Sequence, residues 1–356
     1  MLSHRIRWGL VLAVPITLVM SACGSNTAGT QAAAPEVSAN AKVYTGAPAP
    51  PADLVTKAKS EGAVTIYTGI STQSALTNIA KGFNSLYPGI SVRWVTLQTN
   101  ELAGRYDTEA KAGAVQGDVI LAGYSGFFGD NLKNGRILPI DQVIPGFASL
   151  YPEDALRENG QLPLEFRLVN GFAYDTNVVK GADIPTSYED FAKPFWKGHL
   201  IGFDIKGASS YASWADMILK QLGEEKLRAI WANVIPNKKF AKTTDAAQSL
   251  AAGEGYANLF MSAVAVNGLI AAGAPIKYVQ PDLCTGGEWG IAASKASPNP
   301  NAAKLFLYWA LSTAGQKALT TENLSIGPLE GTPAKFWSPP LEVPEADMKI
   351  INAIVT

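Results

Sequence analysis

The sequence predicts an α/β fold in two domains, and three observations carry that prediction. From about Pro51 onward, short β-type runs alternate with helix-type runs, the pattern of helices packed on largely parallel sheets. The chain has 356 residues, more than one domain ordinarily holds, so two units that each bury a core are expected. Hydrophobic residues make up 47% and charged residues 17%, which excludes a disordered chain and a nucleic-acid binder with a strong basic footprint.

Residues 64–67 read as the first strand. Leu76, Ile79, Ala80, Phe83 and Tyr87 then fall at helical spacing on one face, so residues 73–86 should form a helix packed on the sheet. Residues 91–95 and 118–121 read as further strands, the second a continuous apolar run of the kind found where helices cover both sheet faces. Later segments read as strand 200–203, helix 211–222, helix 246–252, strand 257–261, helix 264–272, and strands 276–279 and 289–292. Two helices over 301–311 and 313–322 precede a Pro-rich end, with 331–356 as a C-terminal extension.

The N-terminus is built differently. His4, Arg5 and Arg7 precede an apolar run of 13 residues over 8–20, too short to span a bilayer comfortably, which reads as an export signal over 1–22. Met20-Ser21-Ala22-Cys23 resembles the bacterial lipobox, which implies lipid on Cys23 and anchoring to the outer face of the cytoplasmic membrane; the alternative is an ordinary secretory signal cut near Ala22. The only other cysteine is Cys284, and no disulfide between them is expected. Residues 24–51, rich in Ala, Ser, Thr, Gly and Pro without apolar periodicity, read as a flexible tether; with Cys23 the tether is 23–51. Such a coil reaches on the order of 30 Å. The net charge is −1, or −3 without residues 1–22, which points to no particular partner.

Several short motifs occur in a telling order. Ala63-Val-Thr-Ile-Tyr67-Thr-Gly69-Ile-Ser71, Ser91-Val-Arg-Trp-Val95 and Gly117-Asp118-Val-Ile-Leu121 come first. Pro185-Thr-Ser-Tyr188-Glu-Asp190 with Trp196-Lys197-Gly198 follows, then Ala252-Gly253-Glu254, then Trp289-Gly290-Ile291, Pro298-Asn299-Pro300-Asn301-Ala302-Ala303-Lys304 and Gly315-Gln316-Lys317. Over roughly residues 62–327 this run resembles family 1 extracellular solute-binding proteins, their ferric-iron and small-anion branch. The resemblance implies a two-lobed, hinged clamshell of the type 2 periplasmic-binding kind, which delivers a solute to the permease subunits of an ABC importer. It places lobe one at 52–170 with 282–330 and lobe two at 174–277, with crossings near residues 170–173 and 280–281. A monomer without cofactor is implied.

Ligands of open α/β sheets sit beyond the carboxyl ends of strands, where loops enter helix N-termini with free N–H groups. Four loops qualify: Thr68, Gly69, Ser71 and Thr72 in the first, Tyr124 and Ser125 in the second, Lys206, Ser209 and Ser210 in the third, and Ser262 in the fourth. Each is equally the hydroxyl-capped start of a helix with no ligand. Arg167 and Lys206 are the cations expected to converge on an anion, since guanidinium groups grip carboxylates with paired hydrogen bonds. Arg105 reads as well as a solvated surface charge. Trp289 and Tyr124 offer stacking faces, although aromatic residues more often serve a core.

The iron-binding relatives use adjacent tyrosines at the helix start after the strand equivalent to 257–261. Here Ser262-Ala263-Val264 stands in that place, and no Tyr-Tyr pair occurs in the chain. The preferred ligand is therefore a small organic anion, a carboxylate or phosphonate and aromatic among the choices. Ferric iron and a ligand-free adhesin or structural lipoprotein are the alternatives. Enzyme activity is not expected: after export His199 is the one histidine, and no G-x-S-x-G, H-E-x-x-H, P-loop or G-x-G-x-x-G is present.

Overall fold

In chain order the elements are α1 (Ala52–Glu61), β1 (Ala63–Thr68), α2 (Gln73–Leu86), β2 (Ser91–Thr96), α3 (Thr99–Ala112), β3 (Val119–Gly123), α4 (Gly126–Lys133), β4 (Leu156–Arg157) and β5 (Leu162–Asp175). There follow β6 (Leu200–Phe203), α5 (Ser209–Leu222), α6 (Glu224–Trp231), β7 (Val234–Phe240), α7 (Thr243–Ala251), β8 (Ala257–Ser262), α8 (Ala263–Ala271) and β9 (Ile276–Val279). The chain ends with β10 (Leu283–Ala293), α9 (Pro300–Ala310), α10 (Thr313–Asn323), β11 (Lys335–Trp337) and α11 (Glu345–Val355). This computed structural model describes residues 44–355 apart from 71, 98, 207, 208, 324 and 332–334. The export signal, Cys23, the tether as far as residue 43 and the candidate Ser71 lie outside the described residues.

The sheet runs β2-β1-β3-β10-β5-β8-β6-β7. Its two ends are parallel, β1 with β2 and β3, and β6 with β7 and β8. The middle is antiparallel, because β10 pairs with β3 and β5, and β5 with β8 and β9. The expectation of largely parallel sheets is corrected here. Local periodicity identifies a strand but not the direction of its neighbour, and two long strands, β5 and β10, pass from one core to the other.

Those strands join two cores. Around β1–β3, the side chains of Ile66, Phe83, Phe306 and Trp309 fill one sheet face and Tyr67, Tyr106 and Phe128 the other. Around β6–β8, Phe203, Trp214, Ile218 and Leu259 fill one face and Ile201, Ala247 and Met261 the other. β5 contributes Leu164 and Phe166 to the first core and Phe172 and Tyr174 to the second, so the passage falls over residues 168–171. β10 makes the same passage in reverse, with Leu283 against the second core and Ile291 in the first.

Close strand contact at this passage requires glycine. A Cβ on Gly286 would lie 2.1 Å from the Leu168 carbonyl oxygen, and one on Gly171 2.1 Å from that of Val279. Gly286→Ala is expected to lower stability by about 1–3 kcal/mol through forced strand separation, read as a lower urea midpoint. An unchanged midpoint would show that the strands yield freely.

The motifs that carry the family resemblance are turn and cap devices. Asp118 accepts hydrogen bonds from the Thr65 N–H at 2.7 Å, the Asn299 N–H at 2.9 Å and the Ser297 hydroxyl at 2.6 Å, tying β1, β3 and the entry to α9 together. The Glu61 carboxylate caps α9, accepting from the Asn301 and Ala302 N–H groups at 3.1 and 2.7 Å, where the helix dipole favours negative charge. Gly253 takes φ +74 after α7, and Glu254 then bonds Ser249 and Lys238, each at 2.5 Å.

Composition alone hides two further features. Residues 44–51 were assigned to the tether, yet Gly46 and Ala47 donate N–H bonds to the Leu150 and Leu311 carbonyls at 3.1 and 2.9 Å, and Ala47 is buried. The extension after 331 also folds. β11 adds in parallel to β10, and α11 packs on α5 with Ile351 and Val355 buried and Lys220 bonded to Asp347 at 2.8 Å. The chain thus returns to the second core after leaving the first.

Candidate functional site

One cavity of about 600 Å³ opens between the two cores. The first core supplies Tyr124, Ser125 and Gly126 at the start of α4; the second supplies Ser209, Ser210 and Ser213 at the start of α5. The strand passage supplies Asn170 from β5 and Thr285, Gly286, Gly287, Glu288 and Trp289 from β10. Residues 339–342, beyond β11, complete the lining.

Each side chain is held by something identifiable. Tyr124 donates its hydroxyl to Glu158 at 2.8 Å, and its N–H goes to the Glu288 carbonyl at 2.7 Å. Burial, helped by the neighbouring Glu158 carboxylate, pushes the Tyr124 phenol up to about 12, so it faces the cavity protonated. Glu158 and Asn159 both take left-handed φ, 53 and 55, in the tight turn between β4 and β5. Trp289, also in the lining, stacks on Phe166 with ring centroids 5.1 Å apart. Ser125 caps α4 without using its hydroxyl for the cap bond.

Charge is distributed in an unexpected way. The lining residues include Glu288 and Glu342 and no Lys or Arg. Glu288 is nearly fully buried and neutralised from behind: Arg157 reaches its two oxygens at 2.5 and 3.0 Å, and Arg167 Nε donates at 3.2 Å. What else lines the cavity is a set of neutral hydroxyls, one amide, the exposed Glu342 and the N-terminal turns of two helices. Such turns carry unpaired N–H groups and the positive end of the helix dipole.

The residues expected from the sequence divide accordingly. Tyr124, Ser125, Ser209, Ser210 and Trp289 line the cavity together. Arg167 does not; it is 1% exposed, donates to the Asp154 carbonyl at 2.6 Å and pairs with Glu288. Lys206 lines a separate cavity of about 390 Å³ with Asp204 and Lys239, so the structure does not bring Arg167 and Lys206 together. Arg105 pairs with Glu109 at 2.8 Å, over the Tyr67 ring. Thr68 is buried, its hydroxyl accepting from the Ile70 N–H at 3.2 Å, and Thr72 is exposed at the start of α2. Gly69 lies against the Trp289 ring, which a Cβ there would meet at 2.9 Å. Ser262 sits in register with Asn170 on β8 without lining the cavity.

Asn170, Ser213, Thr285, Glu288 and residues 339–342 escaped the sequence reading. Gly286-Gly287 inside a strand marks a close approach and could have pointed to that stretch. Nothing local marks the Pro339-Pro340 pair as part of a cavity.

A family model for bacterial extracellular solute-binding proteins matches residues 78–333. No curated sequence matches the chain. Among solved structures, the iron-bound HitA of Pseudomonas aeruginosa superimposes with a TM-score of 0.62 at 18% identity, covering 83% of this chain and 99% of that one. The substrate-binding protein of an ABC transporter from Agrobacterium tumefaciens gives 0.62 at 15% identity, covering 84% and 97%. Ferric iron-binding protein A of Mannheimia haemolytica, in an open conformation, gives 0.60 at 19%, covering 83% and 96%. At these identities the likeness establishes the two-lobed binding-protein fold.

Proposed function

Because this chain belongs to the bacterial extracellular solute-binding protein family, we propose that it captures a small organic anion between its lobes and delivers it to the permease of an ABC importer. The observation that carries the ligand reading is the single cavity onto which the N-terminal turns of α4 and α5 open, one from each core. An oxyanion placed there accepts N–H and hydroxyl hydrogen bonds from both sides at once, so binding favours the closed arrangement of the lobes. In a hydroxyl-rich lining whose buried carboxylate Glu288 is already neutralised and whose other carboxylate, Glu342, is exposed to screening water, the ligand's own charge is met by helix dipoles.

In this reading the lobes are 52–170 with 282–330 and 174–277, and residues 335–355 join the second by their packing. Cys23 carries lipid, which keeps the body at the membrane near its permease, and the protein works as a monomer that binds without transforming its ligand. Of the solved structures it resembles, one is named as iron-bound and another as a ferric iron-binding protein. For this chain the start of α8, Ser262-Ala263-Val264, offers no phenolate, which supports an organic anion over iron.

The test is a thermal-shift screen of the full chain against carboxylates, phosphonates, polyamines and ferric citrate. A ligand at a hundredfold its Kd adds about 2.7 kcal/mol to stability. Stabilisation by one class of organic anion is the expected result. Stabilisation by ferric citrate and by no iron-free anion would replace the anion reading with iron, and silence across the panel would remove both.

A further inference from the structure

We infer that residues 339–342 form a wall of the ligand cavity and that Pro339, Pro340 and Leu341 select organic acids with an apolar body over short hydrophilic ones; this rests on the anion reading above. The segment lies beyond residue 333, where the match to the family model ends. It nevertheless lines the same cavity as Tyr124, Trp289 and the two helix N-termini.

The segment is fixed at both ends. Upstream, β11 pairs with β10 in the register Leu283 to Lys335 and Thr285 to Trp337, and the Thr285 hydroxyl donates to the Trp337 carbonyl at 2.9 Å. The Arg167 guanidinium lies 5.2 Å from the centre of the Phe336 ring. Ser338 donates to Glu288 at 3.1 Å and accepts from Arg157 at 3.1 Å, which joins the segment to the buried charge cluster behind the cavity. Downstream, α11 docks on α5, the helix whose first turn lines the same cavity. Between these anchors stand two consecutive prolines, whose rings fix φ and hold the preceding residues extended, so the span is stiff.

Leu341 is 56% exposed, one of the most exposed large apolar side chains among the described residues. An exposed leucine in the lining of a cavity that Trp289 also lines is apolar surface that water covers poorly and that an apolar ligand body would cover. The hydroxyls and helix turns suit the acid group, and this wall suits what is attached to it.

The experiment is isothermal titration of the full chain and of Leu341→Asn and Leu341→Phe with acetate, isovalerate, benzoate and phenylacetate. Leu341 is exposed, so neither change threatens folding, and circular dichroism checks this directly. Leu341→Asn is expected to weaken the tightest of the three apolar acids roughly five- to tenfold and leave acetate unchanged. Leu341→Phe is expected to reorder the three without altering acetate. Equal losses for acetate and the apolar acids, or no change in any, would overturn the wall while leaving the anion reading in place. An unsubstituted chain that binds none of the four acids but binds a phosphonate would overturn the carboxylic-acid selection alone, and one that binds no anion would overturn both readings.

Discussion

Replacing Glu288 by alanine is expected to cost about 3–5 kcal/mol of folding stability, the range for breaking a buried ion pair from one side. The carboxylate is 5% exposed and takes hydrogen bonds from Arg157, Arg167 and Ser338. Its removal takes from Arg167, 1% exposed, the buried carboxylate on which that guanidinium leans. The remaining carboxylate partner of Arg167, Asp154, is 3.4 Å away and its side chain is 55% exposed, a weaker and more screened contact. Urea denaturation followed by circular dichroism measures the loss. A double variant, Arg167→Met with Glu288→Leu, should recover part of it, because the most deeply buried cation is removed with its carboxylate, while Arg157, 18% exposed, keeps its hydrogen bonds to the Asp154 and Leu156 carbonyls. A loss below about 1 kcal/mol for Glu288→Ala would mean that water reaches the cluster. The same geometry gives Arg167→Ala a different meaning from the one its sequence position suggests. Any affinity it loses is expected to follow the collapse of the cavity wall rather than the loss of a direct grip on ligand.

Glu165 gives the second large effect, and its sign depends on pH. The side chain is fully buried on β5, and neither carboxyl oxygen has a hydrogen-bond partner among the described residues. Desolvation pushes its carboxyl well above the usual carboxylate range, so the folded protein holds it protonated. In the unfolded chain the same group ionises near the ordinary value, about 4.3. The folded state therefore binds the extra proton, and stability is fully present below that ordinary value and is lost as pH rises towards the folded value. Glu165→Gln and Glu165→Met should each leave stability nearly unchanged at pH 4 and raise it progressively towards pH 7.5, by no more than about 1.4 kcal/mol per pH unit. Denaturation midpoints across that interval decide the matter. Midpoints that rise equally at both pH values would show a packing effect unrelated to ionisation. Nearby Tyr151 donates its hydroxyl to the Leu164 carbonyl at 2.6 Å and takes a hydrogen bond from Gln316, so the polar atoms beside Glu165 are already engaged elsewhere.

Elements with strong local periodicity were legible in the sequence. The helix expected over 73–86 and the strands over 200–203 and 276–279 have those bounds in the structure. β5 was only half visible, because Glu165, Arg167, Asn170 and Gly171 interrupt its apolar run. Arg167 and Gly171 fit a buried strand because groups far along the chain satisfy or accommodate them: Glu288 for Arg167 and the Val279 carbonyl against Gly171. β11 and α11 were read as a Pro-rich extension for a similar reason. Three residues of strand have no period to detect, and the amphipathic face of α11 acquires meaning only once α5 is there to receive it.

The candidate site divides along the same line. Hydroxyls and aromatics at strand-to-helix turns could be nominated from sequence, because the turn itself puts them beyond a strand end, and Tyr124, Ser125, Ser209, Ser210 and Trp289 do meet in one cavity. Which charges face a ligand could not be nominated in that way. Arg157 and Arg167 are 131 and 121 residues away from the carboxylate they neutralise, and a formal charge carries no information about where its partner lies. By itself, the sequence determined the α/β alternation, the two-core scale and the solute-binding family, all of which follow from local patterning and motif order. Only the tertiary structure decided that the arginines stand behind the cavity wall and that the C-terminal segment forms part of that wall. Burial makes an unpaired ion so costly that long-range pairing, which local sequence does not encode, settles where each charge ends up.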